Sequence, residues 1–519
     1  MKRICCIMLS GGLTIVAQAA ERSSEATQDR IRLLEQRLQI LQTQFEQTVR
    51  EQQQKIQELE QELARLRGET SQQGAAAGQN PPETFFESPV HSRQTSWNPT
   101  QSLPWRLGQG GTYVDVGLVG TFAAGGSTAR DIEGSLQLGG HDPNQRGFTV
   151  QGVEWNLIGA VDPYFLGSAN LLYALDAEGE SEFELEEAWL QTTQLPAGWQ
   201  IRAGQIYAPF GRFNGRHLHQ WGFVDAPLVV ARLLGPDGLR NPGVQAAWLM
   251  PTAFYSELFL SLLNSGGHGA APFRGADSDH HKEDGHPLPL GFRPAENDRG
   301  VSALTDFLWA ARYAVSVDLT EEQTLLMGVS AAVGPNSSGM TGSTQTKVFG
   351  ADLYWKWRSP RAHAGFPFVS LQIEALLRKY DLGAYDWTEA AGAGTPYLAD
   401  GLSGAPAVLH AETVTDYGVY TELLYGFRRG WIAGFRCDFV AGSKGDYERA
   451  LWIFEGTPLS RDSARSRRWR LSPNLTWYPS EYSRLRLQYN YDQRQGMGTD
   501  HSLWLQWELS LGAHAAHQF

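Results

Sequence analysis

The sequence predicts an all-β transmembrane barrel of about 16 antiparallel strands, preceded by an N-terminal α-helical coiled coil. From about Tyr113 onward, stretch after stretch alternates apolar and polar residues. In the last one, Leu503, Leu505, Trp507, Leu509 and Leu511 share one face, and Gln506, Glu508 and Ser510 share the other. Side chains alternate along a strand, so one face is greasy and the other wet. Short turn-rich connections also alternate with mostly long ones, as in outer-membrane barrels. No apolar run of about 18 residues follows the N-terminus, so no helical span is expected.

The chain opens as a secretory signal over 1–20. Lys2 and Arg3 lead, Ile4 to Val16 is apolar, and Ala17-Gln18-Ala19 fits a cleavage site. Cys5 and Cys6 leave with it, so Cys437 alone remains and no intramolecular disulfide is expected. The net charge of −13 argues against a nucleic-acid partner.

Residues 28–67 carry apolar positions at coiled-coil spacing: Ile31, Leu34, Leu38, Leu41, Phe45, Val49, Ile56, Leu59, Leu63 and Leu66. Two successive steps of four at Leu41, Phe45 and Val49 form a stutter. The seam predicts an oligomer without fixing its number; three chains suit a trimeric barrel. Residues 68–111, rich in Gly, Ala, Gln, Ser and Pro, read as a flexible linker.

Residues 112–519 form the barrel. Its strands are expected near 112–124, 147–161, 164–176, 182–194, 199–207, 242–250, 254–263, 307–319, 323–333, 344–358, 366–380, 414–427, 431–441, 467–478, 483–493 and 501–512. Asp162-Pro163, Thr320-Glu321-Glu322, Arg429-Gly430 and Pro479-Ser480-Glu481 are turn chemistry. The alternation puts both termini on the short-turn, periplasmic side. A coiled coil in the periplasm of a Gram-negative-type cell agrees with that, with the barrel in the outer membrane.

The connection from Tyr207 to Asn241 begins Gly204-Gln205-Ile206-Tyr207-Ala208-Pro209-Phe210-Gly211. This resembles the Gly-x-x-x-x-Pro-Phe-Gly motif of the phosphate-selective, O/P-like family of outer-membrane porins. The resemblance implies a sixteen-stranded homotrimeric channel in which residues 207–241 fold inward as a constriction. Arg212, Arg216, His217, His219, Arg232 and Arg240 would then meet the solute, alongside Asp225 and Asp237. Arginine rings favour anions, but Arg–Asp pairs could equally tie the loop to the wall. The wall carries both signs, with Arg468, Arg470, Arg484 and Arg486 facing inward as Glu374 and Glu508 do. No uninterrupted lysine cluster of the kind that traps phosphate is present.

The connection 264–300 holds His268, His280, His281 and His286 among carboxylates, which are ordinary zinc ligands without a defined zinc spacing. A hydrophilic surface loop explains them as well. No Gly-x-Ser-x-Gly or His-Glu-x-x-His constellation stands out, so neither an enzyme nor a cofactor is expected. The reading is passive diffusion of small hydrophilic solutes or inorganic ions through a barrel in outer-membrane lipid. The alternative is an energy-driven (TonB-dependent) zinc uptake receptor using the histidine-bearing loop.

Overall fold

Apolar residues at every second position leave each strand with a face that only lipid or another apolar surface can cover. Its backbone N–H and C=O groups must meanwhile find partners on both edges, and in lipid only a closed sheet satisfies both demands. A computed structural model describes residues 105–109 and 112–512, apart from 178, most of 271–289, 295–299, 341–342, most of 388–407 and much of 450–461. The signal segment, the coiled coil and most of the linker lie outside the described residues.

The barrel strands are β1 (Thr112–Ser127), β2 (Gly147–Asp162), β3 (Phe165–Leu175), β4 (Ser181–Thr192), β5 (Trp199–Tyr207), β6 (Arg240–Leu249), β7 (Tyr255–Leu263) and β8 (Leu308–Thr320). They continue as β9 (Gln323–Pro335), β10 (Gln345–His363), β11 (Phe366–Leu382), β12 (Glu412–Arg428), β13 (Trp431–Gly442), β14 (Arg468–Ser480), β15 (Ser483–Arg494) and β16 (Gly498–Gly512). Each pairs antiparallel with the next. β16 then returns to β1, with Leu505 opposite Ala124 and Leu511 opposite Leu118, closing the sheet. A further short strand, Trp105–Gln109, folds back on the start of β1. All sixteen expected strands are present; β5 keeps the expected 199–207 and the others have shifted ends, β10, for example, running on to His363.

The outer face is apolar, with Leu475, Leu487, Leu503, Leu505 and Leu509 exposed. Aromatic rings gather toward both rims. On the short-turn side Trp199 stacks on Trp248 at 5.4 Å, and Trp431 on Trp477 at 5.7 Å. Toward the other rim lie Tyr417, Phe439, Trp469, Tyr489 and Tyr491. Such belts suit the two headgroup layers.

Inside, two connections fold into the bore. Segment 128–146 follows β1, and segment 208–239 follows β5 with a short helix, α1 (Leu228–Leu234). Phe210, Phe213, Leu218 and α1 bury against Leu263, Ala310, Ala332, Val348, Leu376 and Val440 of the wall. Small wall residues make the room. A Cβ on Gly350 would sit 2.7 Å from the Phe210 ring. Pro227 leads α1, and the first helical N–H, of Leu228, donates to Asp438 Oδ1 of β13 at 3.0 Å. A wall carboxylate thus serves where a side-chain cap is missing. Near the long-connection rim, Phe292, Tyr385, Trp387, Leu409 and Tyr447 form a second apolar cluster with Tyr380 and Leu382.

Leu505 lies midway along β16 on the outer face. Leu505→Arg should cost about 2–4 kcal/mol in lipid, the depth-dependent penalty of a charge at the bilayer midplane. Urea titration in phospholipid vesicles measures it.

Candidate functional site

The Gly–Pro–Phe–Gly stretch works as the hinge that turns the chain into the bore. Gly204 has φ 137° and lies so close to the Ala188 backbone that a Cβ has no room. Pro209 cannot donate to a ladder, so pairing stops. Phe210 drops into its hollow at Gly350. Gly211, at φ 58°, takes the left-handed turn, and its N–H donates to Ser330 Oγ at 3.0 Å. A side chain there would also run into Glu374. Glu374 Oε2 accepts the N–H groups of Arg212 and Phe213 at 3.3 Å each and the Tyr420 hydroxyl at 2.8 Å.

Beyond the hinge the backbone is irregular, and its carbonyls need donors. Wall side chains supply them. Arg484 donates to the carbonyls of His219 at 3.1 Å and Trp221 at 3.2 Å. Arg486 donates to Trp221 and Phe223, both at 2.9 Å, and Asn474 to Gly222 at 3.0 Å. Arg470 reaches Leu136 O at 2.7 Å, and Arg468 reaches Ser135 O at 2.8 Å and also Leu136 O. Glu508 pairs with Arg484. The four wall arginines and both glutamates face the interior and are buried beneath the two inward segments.

Asp225 sits at the centre of this contact. Arg436 reaches its Oδ1 at 2.6 Å and Arg470 its Oδ2 at 3.0 Å. Gln488 donates at 2.9 Å and Asn490 at 2.6 Å. Burial alone would raise this carboxyl, but the two guanidiniums outweigh it and hold it far below the usual carboxylate range. Asp142, on the other inward segment, moves the opposite way. Burial, then the nearby Asp225 charge, pushes it up to about 7, although it accepts the N–H groups of Ala226 and Gly139.

Along β3–β5 the bore is acidic and partly solvated. A β-bulge at Asn170/Leu171 leaves Glu186 unpaired on β4. Bulges re-aim side chains, and Glu184, Glu186 and Glu187 all reach inward partners. His217 Nδ1 is 2.9 Å from Glu186 and its Nε2 3.2 Å from Glu187. Burial would lower this imidazole, but the two carboxylates outweigh that and hold it well above its ordinary value, hence protonated. His219 Nδ1 lies 2.5 Å from Glu154, and Arg240 pairs with Glu184 and Tyr207. Glu184 and Asp237 keep 29% and 30% of their side chains exposed. Arg212 and Arg216, also half-buried, both donate to Gln372 Oε1 at 3.0 Å.

Of the remaining residues singled out in the sequence, Arg232 is tied to Ser466 O at 2.7 Å. His268 begins a short 3-10 turn after β7, while His280, His281 and His286 lie outside the described residues. Sequence reasoning missed His141, Asp142, Glu184, Glu186 and Glu187. The acid-rich run from Glu182 to Glu187 is the one visible trace of them.

No family model matches the chain. It is 27% identical over 432 residues to an uncharacterized protein of Aquifex aeolicus, covering 78% of this chain and 80% of that one. Among solved structures it is similar to the outer membrane channel DcaP of Acinetobacter baumannii, at 12% identity and TM-score 0.46 over 78% of this chain and 99% of that one. An anion-selective porin from Comamonas acidovorans gives 7% identity and TM-score 0.44 over 77% and 100%. Identities this low carry no solute and no residue role to this chain.

Asp225→Ala would take from Arg436 and Arg470 the carboxylate they share, leaving them Asp438 at 2.8 Å and Asp492 at 2.9 Å, at a cost of about 1–3 kcal/mol. Segment 208–239 should then become cleavable by protease in the folded barrel. The pH dependence follows from the sign of the shift. A depressed carboxylate stabilises above its unfolded value, near 3.8, and loses that stabilisation as pH falls through the lower folded value. For the Asp225 contact, protection of the loop should therefore hold from about pH 8 to about pH 5 and fail only in stronger acid.

Proposed function

We propose that this chain is an outer-membrane channel for passive diffusion of small hydrophilic solutes or ions, narrowed by segment 207–241. The observation that carries the reading is the direction of that segment, which turns into a polar interior while the exterior is apolar between aromatic belts. It packs against the β8–β16 side of the wall. The polar groups left partly exposed around it, Glu184 of the wall and Asp237, Arg212 and Arg216 of the loop, would line the narrow remaining path. Carboxylates of wall and loop and guanidiniums of the loop give that path both signs, a field that orients dipolar solutes and disfavours apolar ones. The motif from Gly204 to Gly211 supports kinship with the phosphate-selective porins. The absence of a lysine cluster weighs against phosphate as the solute.

The energy-driven receptor reading is weaker. Those barrels take about twenty-two strands with a plugged lumen, and this one closes with sixteen. We also read 1–20 as a cleaved signal, 28–67 as a periplasmic coiled coil that organises a homotrimer, and 68–111 as its linker.

In planar bilayers the protein should give small, ohmic single-channel steps. Replacing Arg212 and Arg216 together by Gln should shift the reversal potential in a salt gradient toward cation preference. A barrel silent at every voltage would overturn the channel reading. Deleting 28–67 should lower the oligomeric state on native gels, and an unaltered oligomer would remove the organising role of that segment.

A further inference from the structure

Where the two inward segments meet β4, one histidine has no hydrogen bond. His141 is 7% exposed at its side chain, and neither ring nitrogen has a hydrogen-bond partner among the described residues. A buried imidazole left in that state is costly. Its Nε2 is nevertheless ringed by carboxylate oxygens: Glu186 Oε1 at 3.6 Å, with Glu184 Oε2 and Asp237 Oδ1 at 3.8 Å each. These separations are too long for hydrogen bonds. They are close to those of donors around one ion, because bonds of roughly 2.0–2.2 Å in a tetrahedron put neighbouring donors roughly 3.3–3.6 Å apart.

We infer that His141, Glu184 and Asp237, with Glu186 beside them, form a binding site for a divalent transition-metal cation of the zinc class, on the acidic side of the constriction. A cavity of about 20 Å³ borders His141, Glu186 and Asp237. That is room for a single small occupant. The donor set, one imidazole with carboxylates, is ordinary for zinc. Glu184, Glu186, Glu187 and Asp237 outnumber the guanidiniums beside them, those of Arg240 and Arg216. The surroundings are built to hold the donors. His217 Nδ1 grips Glu186 Oε2 at 2.9 Å, leaving Oε1 toward His141. Arg240 takes the other oxygen of Glu184. Partners of this kind orient metal ligands. Asp237 lies against Gly140, where any Cβ would collide with its carboxylate, and the Gly140 N–H donates to Pro236 O at 3.1 Å. The site therefore needs both inward segments docked, and it lies in the loop–wall seam rather than in the histidine-bearing loop after β7.

The test uses the full-length protein in detergent with His280, His281 and His286 changed to Ala, so that loop histidines cannot contribute. After stripping with chelator, calorimetric titration with zinc chloride should show one saturable equivalent per chain. His141→Ala and Asp237→Asn should each weaken it by about 10–100-fold or more. Gly140→Ala, which removes no donor but displaces Asp237, should weaken it as well. Cobalt(II) should give visible bands of a low-coordinate site, lost in Asp237→Asn. Heat-shifted gel migration checks that each variant is folded, and half-exposed Asp237 gives a readout should His141→Ala fail to fold. No saturable zinc binding, or an affinity unchanged in folded Asp237→Asn, overturns the inference. Binding is read on the resting protein, so a barrel that does not conduct leaves it standing.

Discussion

Asp225 belongs to a loop, yet it carries a full negative charge to the middle of the barrel. Two arginines, a glutamine and an asparagine from three wall strands converge on it. The rest of the interior follows from that convergence. Charges taken out of water cost several kcal/mol each, and attraction repays this only with good geometry and every remaining hydrogen-bonding atom satisfied. Here the arginines are used twice. Arg470 holds Asp225 and also Leu136 O, while Arg436 holds Asp225 through both its side chain and its backbone carbonyl. The same groups that neutralise the loop's charge satisfy its irregular backbone.

This explains why the wall is so rich in arginine on β14 and β15. Non-helical backbone at membrane depth is tolerated only where protein or water satisfies it. Residues 219–226 present a row of carbonyls, and a planar guanidinium with five donors bridges such a row better than an ammonium does. The opposite side of the loop solves a different problem. Phe210, Phe213 and the apolar face of α1 need a dry surface, and β8–β13 supply one through Ala310, Ala332, Gly350 and Val348. One inward segment is thus fixed by polar wall groups on one side and packed apolar groups on the other. The sector near β3–β5, where the acidic side chains stand, keeps Glu184 and Asp237 partly exposed.

Much of this was legible in the sequence because a barrel strand repeats a simple demand. Leu503 to Leu511, or Leu485 and Leu487 against Arg484 and Arg486, state their facing without help from tertiary contacts. The turn into the bore was legible through Gly204 to Gly211. The purpose of the wall arginines was not. Alternation says that Arg484 and Arg486 face inward, but not whether they meet water or the carbonyls of residues some 260 positions away. The acidic cluster was hidden for a different reason. Strict alternation puts Glu186 and Glu187 on opposite faces, and only the bulge on β4 brings both to His217. His141 looks like any loop histidine until segment 128–146, which carries it, is seen folded against β4 and segment 208–239.

Hydrogen–deuterium exchange on the folded barrel tests the docked loop most directly. The amides of His219, Val224, Ala226 and Leu228 donate to Glu154, Gln488, Asp142 and Asp438, all inside the barrel. Their exchange should be as slow as that of the flanking strands β5 and β6. Exchange at the rate of an open surface loop would contradict the account.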